Sequence, residues 1–362
     1  MNIVTIVGAR PQFVKAAALS RVLRTFPDIQ ERLVHTGQHY DDNLSGVFFR
    51  ELDIPIPDYN LDIGSGSHGL QTGRMLERIE EILLDNRPDW MLVYGDTNST
   101  LAGALAASKL HIPIAHVEAG LRSFNKRMPE ETNRILTDHI SDILFAPTEQ
   151  ALRNLQREGI DDSKIRVVGD VMQDVFQYYA SRPIHGENIV DTWKLTGGAY
   201  ILATVHRAEN VDDPERLRQV FNGLASLGRK WEVILPLHPR TKAAMNRMEL
   251  TPPENVRLID PVGYLDMLQL QKNAAAIVTD SGGVQKEAFF AQVPCLTLRD
   301  ETEWVELVDA GWNRLVSATE MLQLDSIVEE FVELPRKDAP QLYGGGNATN
   351  RICEALIELQ RP

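Results

Sequence analysis

Apolar residues in this chain follow two alternating patterns. Short unbroken runs, such as Ile3-Val4-Thr5-Ile6-Val7, read as strands buried on both faces. Between them lie stretches in which apolar side chains recur every three or four positions, as in helices packed by one face. In the first half the pattern predicts strands over Asn2–Gly8, Glu31–Thr36, Trp90–Tyr94, Ile112–Val117, Ile143–Phe145 and Ile165–Val168. It predicts helices over Pro11–Arg24, Leu70–Leu84, Ser99–Lys109 and Pro129–His139. The second half repeats the rhythm, with strands near Tyr200–Val205, Glu232–Leu237, Val256–Ile259, Ala275–Thr279 and Pro294–Leu298. Strands roughly 25–40 residues apart, with helices between them, mean parallel sheets covered on both sides.

The expected fold class is therefore α/β, with two Rossmann-like doubly wound domains facing a cleft and any ligand at the carboxyl ends of the strands. A length of 362 residues exceeds one ordinary core and suits two. The join is expected near Val168-Gly169-Asp170-Val171, giving domains of residues 1–170 and 171–344. Arg182–Gly198, with its Pro and Gly residues, reads as a surface connection. There is no short repeat and no low-complexity tract.

Composition narrows the classes. Hydrophobic residues at 43% and charged residues at 24% fit a soluble globular protein. The apolar runs are strand-sized, so no membrane span is expected, and the start runs straight into a core strand with no signal peptide. The net charge of −14 argues against a nucleic-acid partner. It does not forbid an anionic small molecule, because a few cations and helix N-termini can outweigh the overall field. Cys295 and Cys353 sit in apolar contexts and read as buried free thiols, which fits a reducing, cytoplasmic setting.

The candidate chemistry gathers at predicted strand ends. Gly8-Ala9-Arg10-Pro11-Gln12-Phe13-Val14-Lys15 joins the first strand to the first helix and is neither G-x-G-x-x-G nor a Walker loop. Arg10 and Lys15 are cations at a position where anions bind, or else solvated surface charges. Asp96 ends another strand in Tyr94-Gly95-Asp96-Thr97-Asn98, where it could serve chemistry or cap the next helix. Glu118, in His116-Val117-Glu118-Ala119-Gly120, has no capping role available. Glu130 and Glu131 open the helix that carries Arg134, where acids ordinarily serve the macrodipole. Together these carboxylates are expected to crowd one rim and raise one another's pKa values, as general acid–base work needs.

In the second half His206 ends the first strand and His238-Pro239-Arg240 the next. The most informative stretch is Thr279-Asp280-Ser281-Gly282-Gly283-Val284-Gln285-Lys286-Glu287. A buried strand there breaks at Ser-Gly-Gly into a helix, leaving free N–H groups and a dipole that suit phosphate. Glu287, a turn further on, suits sugar hydroxyls better than a diphosphate. No metal-ligand spacing appears, so neither metal nor cofactor is expected.

Taken as a set, the strings GARPQFVK, TGQHYD, YGDTNST, HVEAGLRS, PEETNR, TVHRAEN, DSGGVQKEA and LYGGGNA resemble the non-hydrolysing UDP-N-acetylglucosamine 2-epimerase family. They run in order from Gly8 to Ala348, nearly the whole chain. The resemblance implies a GT-B-like fold, with a C-terminal helix of about residues 345–362 returning to the first domain, and a homodimer. It implies UDP held mainly by Ser281, Gly282, Gly283 and Glu287, with Arg10 and Lys15 in the first loop. It implies catalysis by Asp96, Glu118, Glu130 and His206, with Arg134 beside them. His238 and Arg240 are further candidates for holding the substrate.

The implied reaction needs an unusual route. The C2 proton of an N-acetylhexosamine is not adjacent to a carbonyl, so direct deprotonation is hopeless. Elimination of UDP to a 2-acetamidoglucal, followed by re-addition, avoids that barrier. Some residues depart from the common pattern: Gln12 in place of Glu, Lys126-Arg127-Met128 before Pro129, Trp304-Val305 after Glu303, and the third glycine run as GGG. These look like the branch acting on UDP-2,3-diacetamido-2,3-dideoxyglucuronate, an alternative to UDP-GlcNAc in surface-polysaccharide synthesis. Lys126, Arg127 or Gln12 would then meet the C6 carboxylate. A GT-B glycosyltransferase, a non-catalytic nucleotide-sugar sensor and a hydrolysing epimerase are competing readings. The first two leave the acidic cluster unexplained, and the third is disfavoured by the absence of a fused kinase domain.

Overall fold

Every residue of Ile3–Val7 is buried, so both faces of the first strand must be covered, and they are. The structure, a computed structural model, describes residues 1–38, 54–182, 188–335 and 338–360. Among these the chain separates into two compact units, Met1–Gln177 with Gln341–Pro362, and Tyr178–Pro340.

The first unit runs β1 (Asn2–Val7), α1 (Arg10–Leu23), β2 (Gln30–His35), β3 (Tyr59–Asn60), α2 (His68–Asp85), β4 (Trp90–Tyr94), α3 (Asn98–Lys109), β5 (Ile114–Val117), α4 (Pro129–Ile140), β6 (Ile143–Ala146), α5 (Glu149–Arg157), β7 (Ile165–Val167) and α6 (Val171–Ala180). Its seven strands lie in the order β3-β2-β1-β4-β5-β6-β7, all parallel. The order reverses between β1 and β4, which makes their carboxyl ends the switch point where such sheets bind ligands.

The second unit contains α7 (Ile189–Thr192), β8 (Tyr200–Thr204), α8 (Ala208–Val211), α9 (Pro214–Leu227), β9 (Glu232–Pro236), α10 (Pro239–Arg247), β10 (Val256–Ile259), α11 (Tyr264–Asn273), β11 (Ala276–Thr279), α12 (Gly282–Phe290), β12 (Cys295–Thr297), α13 (Val305–Asp309), β13 (Asn313–Leu315) and α14 (Leu324–Glu333). The strand order β10-β9-β8-β11-β12-β13, again parallel, repeats the first sheet's winding and puts a switch point between β8 and β11. Its core joins Ile201, Leu235 and Val278 from the sheet to Leu217, Phe221 and Leu224 of α9.

The final helix, α15 (Ala348–Gln360), belongs to the first unit and packs on α1. Gly344, Gly345 and Gly346 precede it with φ of 83°, 76° and 81°, three successive left-handed residues that L side chains resist. Asp174 then caps α15, accepting from Ala348 N at 3.1 Å and Thr349 N at 2.8 Å.

Differences from the sequence pattern are local. Strand β5 begins at Ile114, because His111 turns left-handed at φ 52° and Pro113 follows. The edge strands β3 and β13 have two and three residues, too few to show a period. The segment read as a surface connection includes residues 183–187, and the string TGQHYD includes His39, Tyr40 and Asp41; these lie outside the described residues. On α2, Gln71, Met75, Ile79 and Leu83 face inward while Leu70 and Leu84 are exposed. No helix among the described residues is long and apolar enough to cross a membrane.

Candidate active site

Glycine is required where β1 meets α1. A Cβ on Gly8 would collide with Ser99 Oγ and Thr36 Oγ1, which bond each other at 2.8 Å. Gln12 is buried behind this turn, its side-chain oxygen accepting from Gly8 N at 2.8 Å and Ala9 N at 3.0 Å. Its amide nitrogen donates to Tyr94 O at 3.0 Å and Thr100 Oγ1 at 2.9 Å. The amide is thus fully engaged inside the sheet, which corrects the expectation that Gln12 could meet a ligand carboxylate. A glutamate here would lack the two donors. Arg10 opens α1, and its side chain lies outside the described residues.

Lys15, a turn into α1, pairs with Glu118 across the switch point, and both side chains are about nine-tenths buried. Gly95, with φ 63°, lies against the pair: a Cβ there would be 3.2 Å from Glu118 Oε2 and 3.4 Å from Lys15 Nζ. Glu118 itself has φ 69°, a strained conformation for a non-glycine residue. The strain fits a tight exit from β5, where Glu118 N and Ala119 N both donate to Phe145 O at 3.2 and 3.1 Å.

Asp96 does not cap α3. Thr97 does, its hydroxyl accepting from Thr100 N at 3.2 Å. Asp96 Oδ2 instead takes Arg134 Nη2 at 2.6 Å, while Arg134 Nη1 reaches Glu131 Oε2 at 2.8 Å. Asn133 adds a bond to Asp96 O at 2.9 Å. Glu131 is buried and accepts from Ser123 N at 2.9 Å and Phe124 N at 2.8 Å, bracing the turn before α4. Burial pulls its carboxyl pKa up, but the Ser123 N–H, Arg134 and the Phe124 N–H outweigh burial and hold it below the usual value. The expected mutual raising therefore does not occur at Glu131, because the Ser123 N–H, Arg134 and the Phe124 N–H all favour its charged form. Glu130, half-buried in the first turn of α4, makes no side-chain hydrogen bond or ion pair with the described residues.

In the second unit the organising residue is Asp280, wholly buried and not among the sequence candidates. Its carboxylate accepts from His206 N at 3.0 Å, Arg207 N at 2.9 Å and Asn210 Nδ2 at 3.0 Å, fixing the turn after β8. The His206 ring stacks on His238 with centroids 5.0 Å apart. His238 caps α10, its Nδ1 accepting from Arg240 N at 3.2 Å, and Arg240 pairs with Asp212 at the surface at 2.6 Å.

Ser281 stands at the N-cap of α12 without a side-chain cap bond. A Cβ on Gly283 would meet nothing within 4 Å, whereas one on Gly282 would strike the Glu303 carboxylate. Glu303 is tied to buried Arg299 at 2.9 Å. Glu287 faces α11, its Oε2 accepting from Gln271 Nε2 at 2.7 Å. Among the described residues no group of three or more His, Cys, Asp and Glu side chains is arranged to hold a metal ion.

The structure thus groups Lys15, Asp96, Glu118 and Arg134 at adjoining strand ends of the first sheet, and His206, Ser281, Gly282 and Gly283 at those of the second. Sequence reasoning missed His116, Asp138, Glu131's bracing role and Asp280. Asp138 and Asp280 bond chiefly to groups distant in sequence, which leaves no local signal.

These are two doubly wound α/β units with acid–cation pairs at one switch point and a glycine-opened helix at the other, the fold class of GT-B-like enzymes. A glycotransferase described as that of kitacinnamycin shares this fold alone, at 16% identity and TM-score 0.62 over 100% of this chain and 99% of that one. The chain matches the UDP-N-acetylglucosamine 2-epimerase family over residues 21–357 and belongs to it, which makes it an isomerase. It is 52% identical to a UDP-2,3-diacetamido-2,3-dideoxy-D-glucuronate 2-epimerase of Pseudomonas aeruginosa, over 99% of this chain and 100% of that one. The crystal structure of Methanocaldococcus jannaschii UDP-GlcNAc 2-epimerase in complex with UDP-GlcNAc and UDP matches with TM-score 0.90 and 45% identity, over 99% of this chain and 100% of that one.

Proposed function

We propose that this chain interconverts the C2 epimers of a UDP-linked 2-acetamido sugar, of the UDP-GlcNAc and UDP-ManNAc type, by eliminating UDP and adding it back. The observation that carries the reading is Glu118, held at a strained φ of 69° with its carboxylate on Lys15 beside Gly95. Strain of this kind costs on the order of 1–3 kcal/mol and gathers where chemistry needs it.

A base takes the C2 proton as the C1–O bond to UDP breaks, leaving a C1=C2 double bond in a 2-acetamidoglucal. A proton then returns to C2 from the other face, and the UDP oxygen re-forms the bond to C1. Asp96, Glu118 and Glu130 serve the proton transfers, each worth on the order of 10²–10⁴-fold. His206, fixed by Asp280 and His238, assists the departing diphosphate. Ser281, Gly282, Gly283 and the N-terminus of α12 hold the diphosphate, and Glu287 takes sugar hydroxyls. Arg10, Lys15, Arg134, His238 and Arg240 complete the binding set, with Arg240 the outermost because it pairs with Asp212.

The 52% identity to the Pseudomonas aeruginosa enzyme favours a second reading of the substrate, a UDP-diacetamido-uronate. Lys126 and Arg127, both exposed before α4, are the cations available to its C6 carboxylate. A homodimer through the first unit and a cytoplasmic setting belong to the same proposal. Leu70 and Leu84 are 50% and 66% exposed on α2, and both cysteines are buried and free. Light scattering that finds monomer alone at working concentration would remove the dimer.

The experiment is incubation with each candidate UDP-sugar in deuterated water, followed by proton NMR. The reading expects deuterium at C2 of both epimers. Inversion without exchange, or no reaction with any UDP-2-acetamido sugar, would sink it.

A further inference from the structure

Beside the acid-bearing turns of the first unit lies a wholly buried histidine that this scheme does not use. His116, in β5, has both ring nitrogens committed: Nδ1 is 2.7 Å from Asp138 Oδ1, and Nε2 is 2.8 Å from Gly95 O. A carbonyl oxygen can only accept, so Nε2 carries a proton. Asp138 Oδ2 already takes the Gly120 N–H at 3.1 Å and Arg122 Nη1 at 2.7 Å. Burial raises the Asp138 carboxyl, but His116 and Arg122 outweigh burial and hold it below its ordinary value. Asp138 is thus shared between His116, the Gly120 N–H and Arg122.

Arg122 reaches past Asp138 to Glu158, with Nε and Nη2 each 2.7 Å from its carboxylate, and exposed His139 touches Glu158 at 3.3 Å. Losing either contact of the His116 ring would strand a buried polar partner, which is costly.

The position of this cluster gives it a role. Gly95, at φ 63°, immediately precedes Asp96, and Gly120 follows Glu118 by two residues. His116 grips the first turn through Gly95 O, and Asp138 grips the second through Gly120 N. We propose that His116 is a positioning residue that with Asp138 ties the Gly95–Asp96 turn to the Glu118–Gly120 turn and keeps both acids aligned for proton transfer. The proposal rests on the assignment of proton transfer to Asp96 and Glu118.

The test uses the full chain and its His116→Gln and Asp138→Asn variants. Gln keeps a donor toward Gly95 O but not the ring contact to Asp138, so folded His116→Gln should lose about tenfold to hundredfold in kcat while UDP affinity and KM stay unchanged. Asp138→Asn should lose a similar factor, and the double variant little more than the worse single one, as for residues acting as a unit. Undiminished kcat in folded His116→Gln would overturn the positioning role. If the unsubstituted enzyme exchanges no C2 hydrogen, the functional reading falls and the positioning role with it, whereas undiminished kcat in an enzyme that does exchange removes the positioning role alone.

Discussion

Lys15 and Glu118, 103 residues apart in sequence, form an ion pair whose two side chains are about nine-tenths buried at the carboxyl ends of β1 and β5. A buried pair is weak evidence for stability as a whole, but removing one partner strands the other charge. Lys15→Met should therefore destabilise the fold by about 3–5 kcal/mol, and Lys15→Met with Glu118→Gln by clearly less. Denaturant titration of the four proteins of this cycle reads the coupling. Simple additivity would contradict it.

Gly283→Val should weaken UDP binding while leaving the unfolding free energy within about 0.5 kcal/mol, as for a surface change. The reason is that a Cβ there meets nothing in the protein within 4 Å. Gly282→Ala, by contrast, should also lower stability, because its Cβ would displace the Glu303 carboxylate from α12. Calorimetry with UDP, beside melting curves, separates the two. Equal UDP affinity in Gly283→Val would remove the diphosphate from this helix.

Acid should unfold the first unit through Glu131 and Asp138. Both carboxyls sit below their ordinary values of 4.5 and 3.8. A depressed folded pKa means the stabilisation is fully present above the unfolded value and is lost as pH falls below it, through the folded value. Stability should thus be flat from neutral pH down to about 4.5 on their account and then decline. Asp138→Asn should flatten the acid limb of the stability profile, and an unchanged limb would contradict this.

Gly169→Ala should loosen the return of α15. Gly169 has φ 96°, and a Cβ would be 2.5 Å from Tyr343 O. The backbone strain alone is worth about 1–3 kcal/mol. Melting temperature should fall, and limited proteolysis should cut near residues 341–347 sooner. An unperturbed variant would show that this contact yields freely.

Lys126→Ala and Arg127→Ala discriminate between the substrate readings. If the substrate is a uronate, either change should raise KM about ten- to hundredfold, the worth of one charge-assisted contact, and spare binding of UDP alone. If UDP-GlcNAc is the substrate, both changes should be silent. Lys126 lines a hollow of about 360 Å³ with Phe124, Ile135 and His139, so it is accessible to solutes.

Much of this was legible in sequence because it is local. Val4 and Ile6 announce a strand buried on both faces, and the Ser281-Gly282-Gly283 break announces the helix that begins at Gly282. Asp96 and Glu118 were legible as strand-end acids. Their surroundings were not: Arg134 turns Asp96 from a capping candidate into half of an ion pair, and the Ser123 N–H, Arg134 and the Phe124 N–H reverse the expected pKa shift at Glu131. Gln12 looked like a binding residue, since nothing nearby in sequence reveals that Tyr94 O and Thr100 Oγ1 already hold its amide. Asp280 and Asp138 were invisible because their main partners come from segments distant in sequence.

The central claim is that the C1–O bond breaks and re-forms during inversion at C2. It is tested most directly with a UDP-sugar carrying a heavy-oxygen label in the bridge between C1 and the β-phosphate. A diphosphate freed from C1 can rotate before it re-adds, so label should scramble into the non-bridging β-phosphate positions as the epimers equilibrate. Label that stays wholly in the bridge while C2 inverts would contradict the account.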